Sequence, residues 1–160
     1  MFNAWLEKVA KMFEAAFITG DRWKQYFAGL GITLQVAFFA AILGMVIGTL
    51  VALMKLSVKQ NGKRTILSVI ATAYVDIIRG TPSVLQLLIM WFIIMSSCKN
   101  GILVASLSFG INSGAYVSEI VRAGILAVDK GQTEAGRSLG LSKSQTMIYI
   151  IIPQAIKNVL

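Results

Sequence analysis

Thirty consecutive residues, Gln25 to Met54, contain no Asp, Glu, Lys or Arg. No other stretch restricts the possible folds as strongly. A helix that crosses a bilayer needs about 20 apolar residues to traverse about 30 Å of hydrocarbon, whereas a water-soluble domain breaks such runs with charge. Gly31 to Met54 would form a helix about 36 Å long, enough to cross with some tilt. Within it Ala40, Gly44, Gly48 and Ala52 recur every four residues. On a helix that spacing makes one smooth face, and in lipid such faces let helix backbones approach closely.

Further apolar stretches follow. Thr65–Ser97 is long for one span and is interrupted by Asp76, Arg79, Gly80 and Pro82. Ile102–Ser118 is charge-free and carries a second small face at Ser106, Gly110, Gly114 and Ser118. Ser144–Ile156 is also uncharged; a span begun near Ile148 would cover only about 20 Å before Leu160. The expected fold is therefore an all-α, polytopic membrane helix bundle of about three complete spans and the start of a fourth. The chain is expected to stop inside that fourth segment. Composition agrees: 56% of residues are hydrophobic and only 14% charged, against roughly 25% in ordinary soluble domains.

A net charge of +8 can signal a nucleic-acid partner. In a membrane chain, Lys and Arg instead gather in cytoplasmic loops. The segment 55–64, KLSVKQNGKR, has four basic residues and no acid, so it is expected on the cytoplasmic side, with the N-terminus outside. No nucleic-acid partner is expected. A single cysteine, Cys98, excludes an internal disulfide, and the absence of histidine removes His metal sites, His proton relays and Ser-His triads. No metal site is expected. Residues 1–28 are expected to form an N-terminal amphipathic, interfacial helix on the extracytoplasmic side. In it Phe2, Trp5, Leu6, Val9, Met12, Phe13, Ala16 and Phe17 recur at three- and four-residue steps. Residues 29–160 make up the membrane domain.

Polar groups inside that domain are candidates for function, because ionisable side chains at membrane depth are costly. Asp76 and Arg79 lie three apart and can neutralise each other on one helix face. Gly80 and Pro82 predict a kink or break directly afterwards. Two placements remain open. Residues 65–79 could form an interfacial helix, or Asp76 and Arg79 could face a water-lined path. Asn112 and Tyr116 add polar groups in mid-span, with Asn112 read either as interhelical glue or as part of a substrate route. Glu119 and Arg122 form a second i, i+3 pair at the end of the same segment.

The stretch 129–153, DKGQTEAGRSLGLSKSQTMIYIIIP, is polar at its start and still helical in pattern. A helix opened by Gly131 is expected to end at Leu139, with Gly140 in the left-handed closing position. Ser142 followed by Gln145 predicts a capping box for a second helix, Lys143–Ile152. The spacing also suits a DNA-binding helix-turn-helix. Flanking spans and the apolar second helix, TMIYIII, argue against that use.

This elbow resembles the cytoplasmic loop of ABC importer permeases, in which Glu-Ala-Ala is followed by three residues, Gly, nine residues, Ile, one residue and Leu-Pro. Glu134, Ala135, Gly140, Ile150 and Pro153 match at those spacings, while Gly136 and Ile152 depart mildly. AYVDIIRGTP at 73–82, NSGAYVSEIVRAGI at 112–125 and KGQTEAGRSLG at 130–140 look like the polar amino-acid subfamily. The resemblance covers roughly residues 29–160. It implies a type I importer transmembrane domain in a bacterial plasma membrane, carrying an amino acid. It further implies a second permease copy or sister permease, an extracytoplasmic amino-acid-binding protein and a cytoplasmic ATP-binding subunit. Glu134, Ala135, Gly136, Gly140, Ile150 and Pro153 would form the docking motif for that subunit. Asp76, Arg79, Asn112, Tyr116, Glu119 and Arg122 are the candidate substrate path. No cofactor is expected on this chain: it lacks a Gly-Lys-Ser/Thr phosphate loop, so ATP and magnesium would belong to the partner and the chain is not expected to be an enzyme. Alternative readings are an ion-coupled carrier or channel, which leaves the elbow unexplained, and a truncated, non-transporting membrane fragment.

Overall fold

A computed structural model describes residues 2–57 and 65–159. Lys59, Lys63 and Arg64 of the basic segment lie outside the described residues, as does the orientation argument built on them. Two compact units divide the chain, residues 1–38 and 39–160. Among the described residues the regular structure is entirely helical.

In the first unit, α1 (Phe2–Phe13) runs into a π-helical turn (Glu14–Ile18) and then a kink at Gly20. Helix α2 (Arg22–Leu56) starts immediately afterwards and continues into the second unit. Its length and composition suffice to cross a membrane, as do those of α5 (Gly101–Leu126). Between them α3 (Ile66–Gly80) and α4 (Ser83–Ile89), with its π-helical extension Met90–Ile94, meet at 105°. The apolar stretch 65–97 is thus a broken pair, with the break where Gly80 and Pro82 predict it. Pro82 is the reason: it takes an extended conformation as the residue ahead of α4, where its missing N–H costs nothing.

Small residues set the packing of α2 on α5. The buried residues of α2 are Ala40, Gly44, Gly48 and Ala52, one per turn. A methyl group built on Gly44 would lie 2.8 Å from Ser113 Cβ, and one on Gly48 only 2.6 Å from Val117 Cβ. Reciprocally, one on Gly110 would meet Leu43 at 2.6 Å, and one on Gly114 would meet Ile47 at 2.8 Å. The backbones are therefore as near as they can be, each glycine receiving a side chain of the other helix. Tyr74 of α3 adds a third helix by donating its hydroxyl to the Ile111 carbonyl at 2.6 Å.

The ends flanking residues 58–64 are pinned together. Thr65 caps α3 by accepting from Ser68 N–H, Ser68 Oγ donates to the Lys55 carbonyl at 3.1 Å, and the Ser57 and Thr65 hydroxyls meet at 2.5 Å. An apolar cluster of Ile125, Val128, Ile151 and Ala155, with Leu56, Val121, Met147 and Ile150 against it, then fastens the elbow's second helix to the end of α5.

Candidate functional site

The elbow is built by local rules. Asp129 accepts from Gly131 N–H at 2.7 Å and opens α6 (Lys130–Ser138). Gly140 closes it at φ +84°, where a Cβ is disfavoured. Leu141 N–H bonds the Gly136 carbonyl and Gly140 N–H the Arg137 carbonyl, a paired closure that satisfies the helix's last acceptors. Arg137 Nη1 also donates to the Leu141 carbonyl at 2.7 Å. Ser142 and Gln145 complete a reciprocal capping box at the start of α7 (Lys143–Thr146). A π-helical turn, Met147–Ile151, leads into α8 (Ile152–Val159). The wider turn precedes Pro153, whose ring would crowd the carbonyl four residues back in an ordinary α-helix.

The six motif residues divide into two groups. Gly136 is buried, and a methyl group on it would meet Thr146 Cγ2 at 2.8 Å and Ile150 Cδ1 at 2.9 Å. Gly136 and Ile150 thus face each other across the elbow and hold α6 against the following helix. Gly136 itself has no surface to offer a partner, and Ile150 is half-buried against it. Glu134, Ala135, Gly140 and Pro153 are exposed. Beside them stands Leu139, 81% exposed, which the sequence reading treated only as the helix end. Its signal was available: a lone large apolar residue in a polar helix, just ahead of a glycine stop.

A second cluster surrounds the α3–α4 break. Gln86 Nε2 donates to the Ile78 carbonyl at 2.8 Å, to Thr81 Oγ1 at 2.6 Å and to the Thr81 carbonyl at 3.2 Å. Its Oε1 accepts from Asn112 Nδ2 of α5 at 3.1 Å. One side chain therefore ties α4 to the carbonyls at the end of α3 and to the neighbouring helix. Asn112 acts here as a link between helices. A pocket of about 300 Å³ lies beside it, lined by Ile77, Thr81, Gln86, Met90, Ser108 and Ile111 among others. Ser108 Oγ, buried, has no hydrogen-bond partner among the described residues.

The charged candidates part company. No ion pair joins Asp76 to Arg79, although both are described and exposed. The Arg79 guanidinium instead lies over the Tyr116 ring, 5.2 Å from its centroid. Stacking costs the arginine none of its N–H donors, whereas a carboxylate would occupy them. Glu119 and Arg122 do pair, through Arg122 Nη2 at 2.8 Å and Nε at 3.1 Å. Lys55, from the end of α2, donates to the other Glu119 oxygen. All three side chains are at least half-buried, so the trio ties the end of α2 to the end of α5. Nothing in the sequence pointed to Lys55, which is 64 residues from its partner.

Residues 44–160 match the family described as binding-protein-dependent transport system inner membrane component. The putative glutamine transport system permease protein of Rickettsia prowazekii (strain Madrid E) is 44% identical over 134 residues, covering 82% of this chain and 59% of that protein. The arginine transport system permease protein ArtQ of Bacillus subtilis (strain 168) is 40% identical over 134 residues, with the same coverage. The L-cystine transport system permease protein TcyB of the same organism is 36% identical over 137 residues, covering 84% of this chain and 56% of that protein. Among solved structures, one titled "Crystal structure of an amino acid ABC transporter with histidines" superposes with a TM-score of 0.71 at 41% identity, covering 84% of this chain and 61% of that one. This chain thus spans somewhat under two thirds of the length of the relatives it matches. The helical architecture and the match over residues 44–160 lead to one conclusion: the chain belongs to the inner-membrane permease components of binding-protein-dependent ABC transport systems.

Proposed function

We propose that this chain is a permease subunit of an ATP-driven amino-acid importer, forming part of the substrate path and coupling it to a separate ATPase. The relatives' names, glutamine, arginine and cystine permeases, support an amino acid as cargo. The observation that carries the reading is the separation of Asp76 from Arg79. An amino acid presents an ammonium and a carboxylate together, and its recognition calls for one charge of each sign left free of mutual pairing. Arg79 parked on Tyr116, with Asp76 one helical turn away, meets that need. Asp76, Arg79 and Tyr116 are thus the core of the proposed path, with Asn112 beside them. Glu119 and Arg122, occupied with each other and Lys55, act as a brace instead.

The elbow is the coupling piece. Glu134, Ala135 and Leu139 offer an exposed surface to a cytoplasmic ATP-binding subunit, and Gly136, Gly140 and Ile150 keep it rigid enough to transmit a push to α5. ATP and magnesium bind on that subunit, and hydrolysis occurs there. An extracytoplasmic binding protein delivers the cargo, and a second permease copy or sister subunit completes the path. Residence in the bacterial inner membrane, with the elbow cytoplasmic and the N-terminus outside, follows from the same reading.

Proteoliposomes holding the chain with its ATP-binding subunit and binding protein test both halves. Asp76→Asn with Arg79→Gln is expected to lower amino-acid uptake at least tenfold while ATP hydrolysis persists. Glu134→Lys is expected to abolish the stimulation of ATP hydrolysis by loaded binding protein. Wild-type uptake in the first variant would remove the path assignment, and normal stimulation in the second would remove the coupling role.

A further inference from the structure

The N-terminal unit is not used by the transport reading, and its geometry is specific. Helices α1 and α2 are not collinear. Tyr26 Oη donates to the Ala16 carbonyl at 3.3 Å, and Arg22 Nη1 donates to the Ala15 carbonyl at 2.7 Å. Along one straight helix, residues 16 and 26 would be about 15 Å apart, too far for a tyrosine hydroxyl to reach back. The chain turns at Gly20 (φ 67°) and Asp21 (φ 56°), two successive residues in the left-handed region. Thr19 Oγ1, just ahead of the turn, donates to the Glu14 carbonyl at 3.2 Å, so side chains on both sides of the turn meet the acceptors that end the first helical segment. Phe17 packs between Phe13 at 4.8 Å and Tyr26 at 5.2 Å, and Lys24 pairs with Asp21 at 2.7 Å. The angle between the helices is held by this clasp.

Helix α1 has two faces. Phe2, Trp5, Leu6, Val9 and Phe13 share one, all exposed, while Glu7, Lys8, Lys11 and Glu14 share the other. What covers the apolar face is set by its tether. The charge-free run of α2 begins at Gln25, only a few residues past the turn, so the clasp sits where that run enters hydrocarbon. A helix fastened there at an angle starts at the level where that run meets the bilayer surface.

From this geometry we infer that α1 is a membrane-surface anchor, with Trp5, Leu6, Val9 and Phe13 sunk among the lipid headgroups and upper acyl chains. The clasp fixes its angle to the first span. Glu7 offsets one of its two lysines, Lys8 and Lys11, and Glu14 of the turn that follows offsets the other, so apolar burial and not attraction to anionic lipid holds it down. The inference rests on the reading of α2 as a span.

A spin-label scan of the full chain in lipid vesicles tests it. On a Cys98→Ser background, single cysteines would replace residues 4 to 15 in turn, with one at Leu34 as a control. Collision rates with oxygen, which concentrates in lipid, and with a water-soluble nickel chelate are then compared. Oxygen maxima are expected at positions 5, 6, 9 and 13, and nickel maxima at 7, 8, 11 and 14, severalfold apart and repeating every 3.6 residues. The pattern should be the same in neutral and anionic vesicles. Uniformly high nickel collision would overturn the anchor. So would exclusion of both reagents from the apolar face, which would mean a second copy or another protein covers it. A Leu34 label open to nickel would instead overturn the span beneath the inference.

Discussion

The chain turns sharply at Gly80–Pro82 and again at Gly140–Ser142, and the two turns are held in different ways. At the elbow the hydrogen bonds and backbone geometry that make the turn come from within a few residues: the Gly140 conformation, the closure onto the Gly136 and Arg137 carbonyls, and the Ser142–Gln145 box. At the break, proline stops one helix, but the angle is held by Gln86 and by Asn112, 26 residues further on. The first turn is made by its own residues. The second exists only where α5 lies beside it. A turn built locally can serve as a rigid lever, while one held across helices can respond when those helices shift. The proposed coupling elbow and substrate path would need that division of labour.

Substitutions can break this contrast. The largest effect is expected from Gly136→Leu, which forces a side chain into Thr146 and Ile150 and should destabilise the chain by about 3 kcal/mol in detergent unfolding titrations. An unchanged midpoint would show that the elbow's two helices separate easily and that it is no lever. Gln86→Leu comes next, at about 2 kcal/mol, because it leaves acceptors at the end of α3 and the Asn112 amide without a partner. Its combination with Asn112→Leu should cost clearly less than the sum of the two single changes. Strict additivity would mean that the break is as local as the elbow. The smallest effect belongs to Gly140→Ala, about 1 kcal/mol from the positive φ alone, since no atom lies within 4 Å of the added methyl. A much larger loss would show that the turn depends on packing after all.

Legibility in the sequence follows the same division. The elbow's glycine stop and capping box, and the four-residue spacing of Gly44, Gly48, Gly110 and Gly114, are written in local order, and the structure places these residues in the turn and in the α2–α5 seam. The break was readable from Gly80 and Pro82, but its angle was not. Gln86 carries no spacing signal, since a glutamine in an apolar segment looks the same whether or not it reaches a partner. The expected Asp76–Arg79 neutralisation failed for a related reason. Spacing of three residues permits an ion pair, yet Tyr116 on another helix offered Arg79 a competing surface. Gly136 and Ile150 match a docking motif by spacing, and the structure packs them against each other inside the elbow.

The sequence did not show the turn at Gly20 and Asp21, inside the single helix expected over residues 1–28. By itself it determined that this protein is a bundle of helices for a membrane, where its elbow turns, and which helix faces are smooth. Those properties depend on hydropathy, helical period and capping, which act over a few residues. The tertiary structure alone decided the partners of the polar groups: Lys55 with Glu119, Gln86 with Asn112, Arg79 with Tyr116. Such pairings depend on which helices are neighbours and how each is rotated about its axis. Both are settled by the close fit of glycine backbones against side chains far away in the chain.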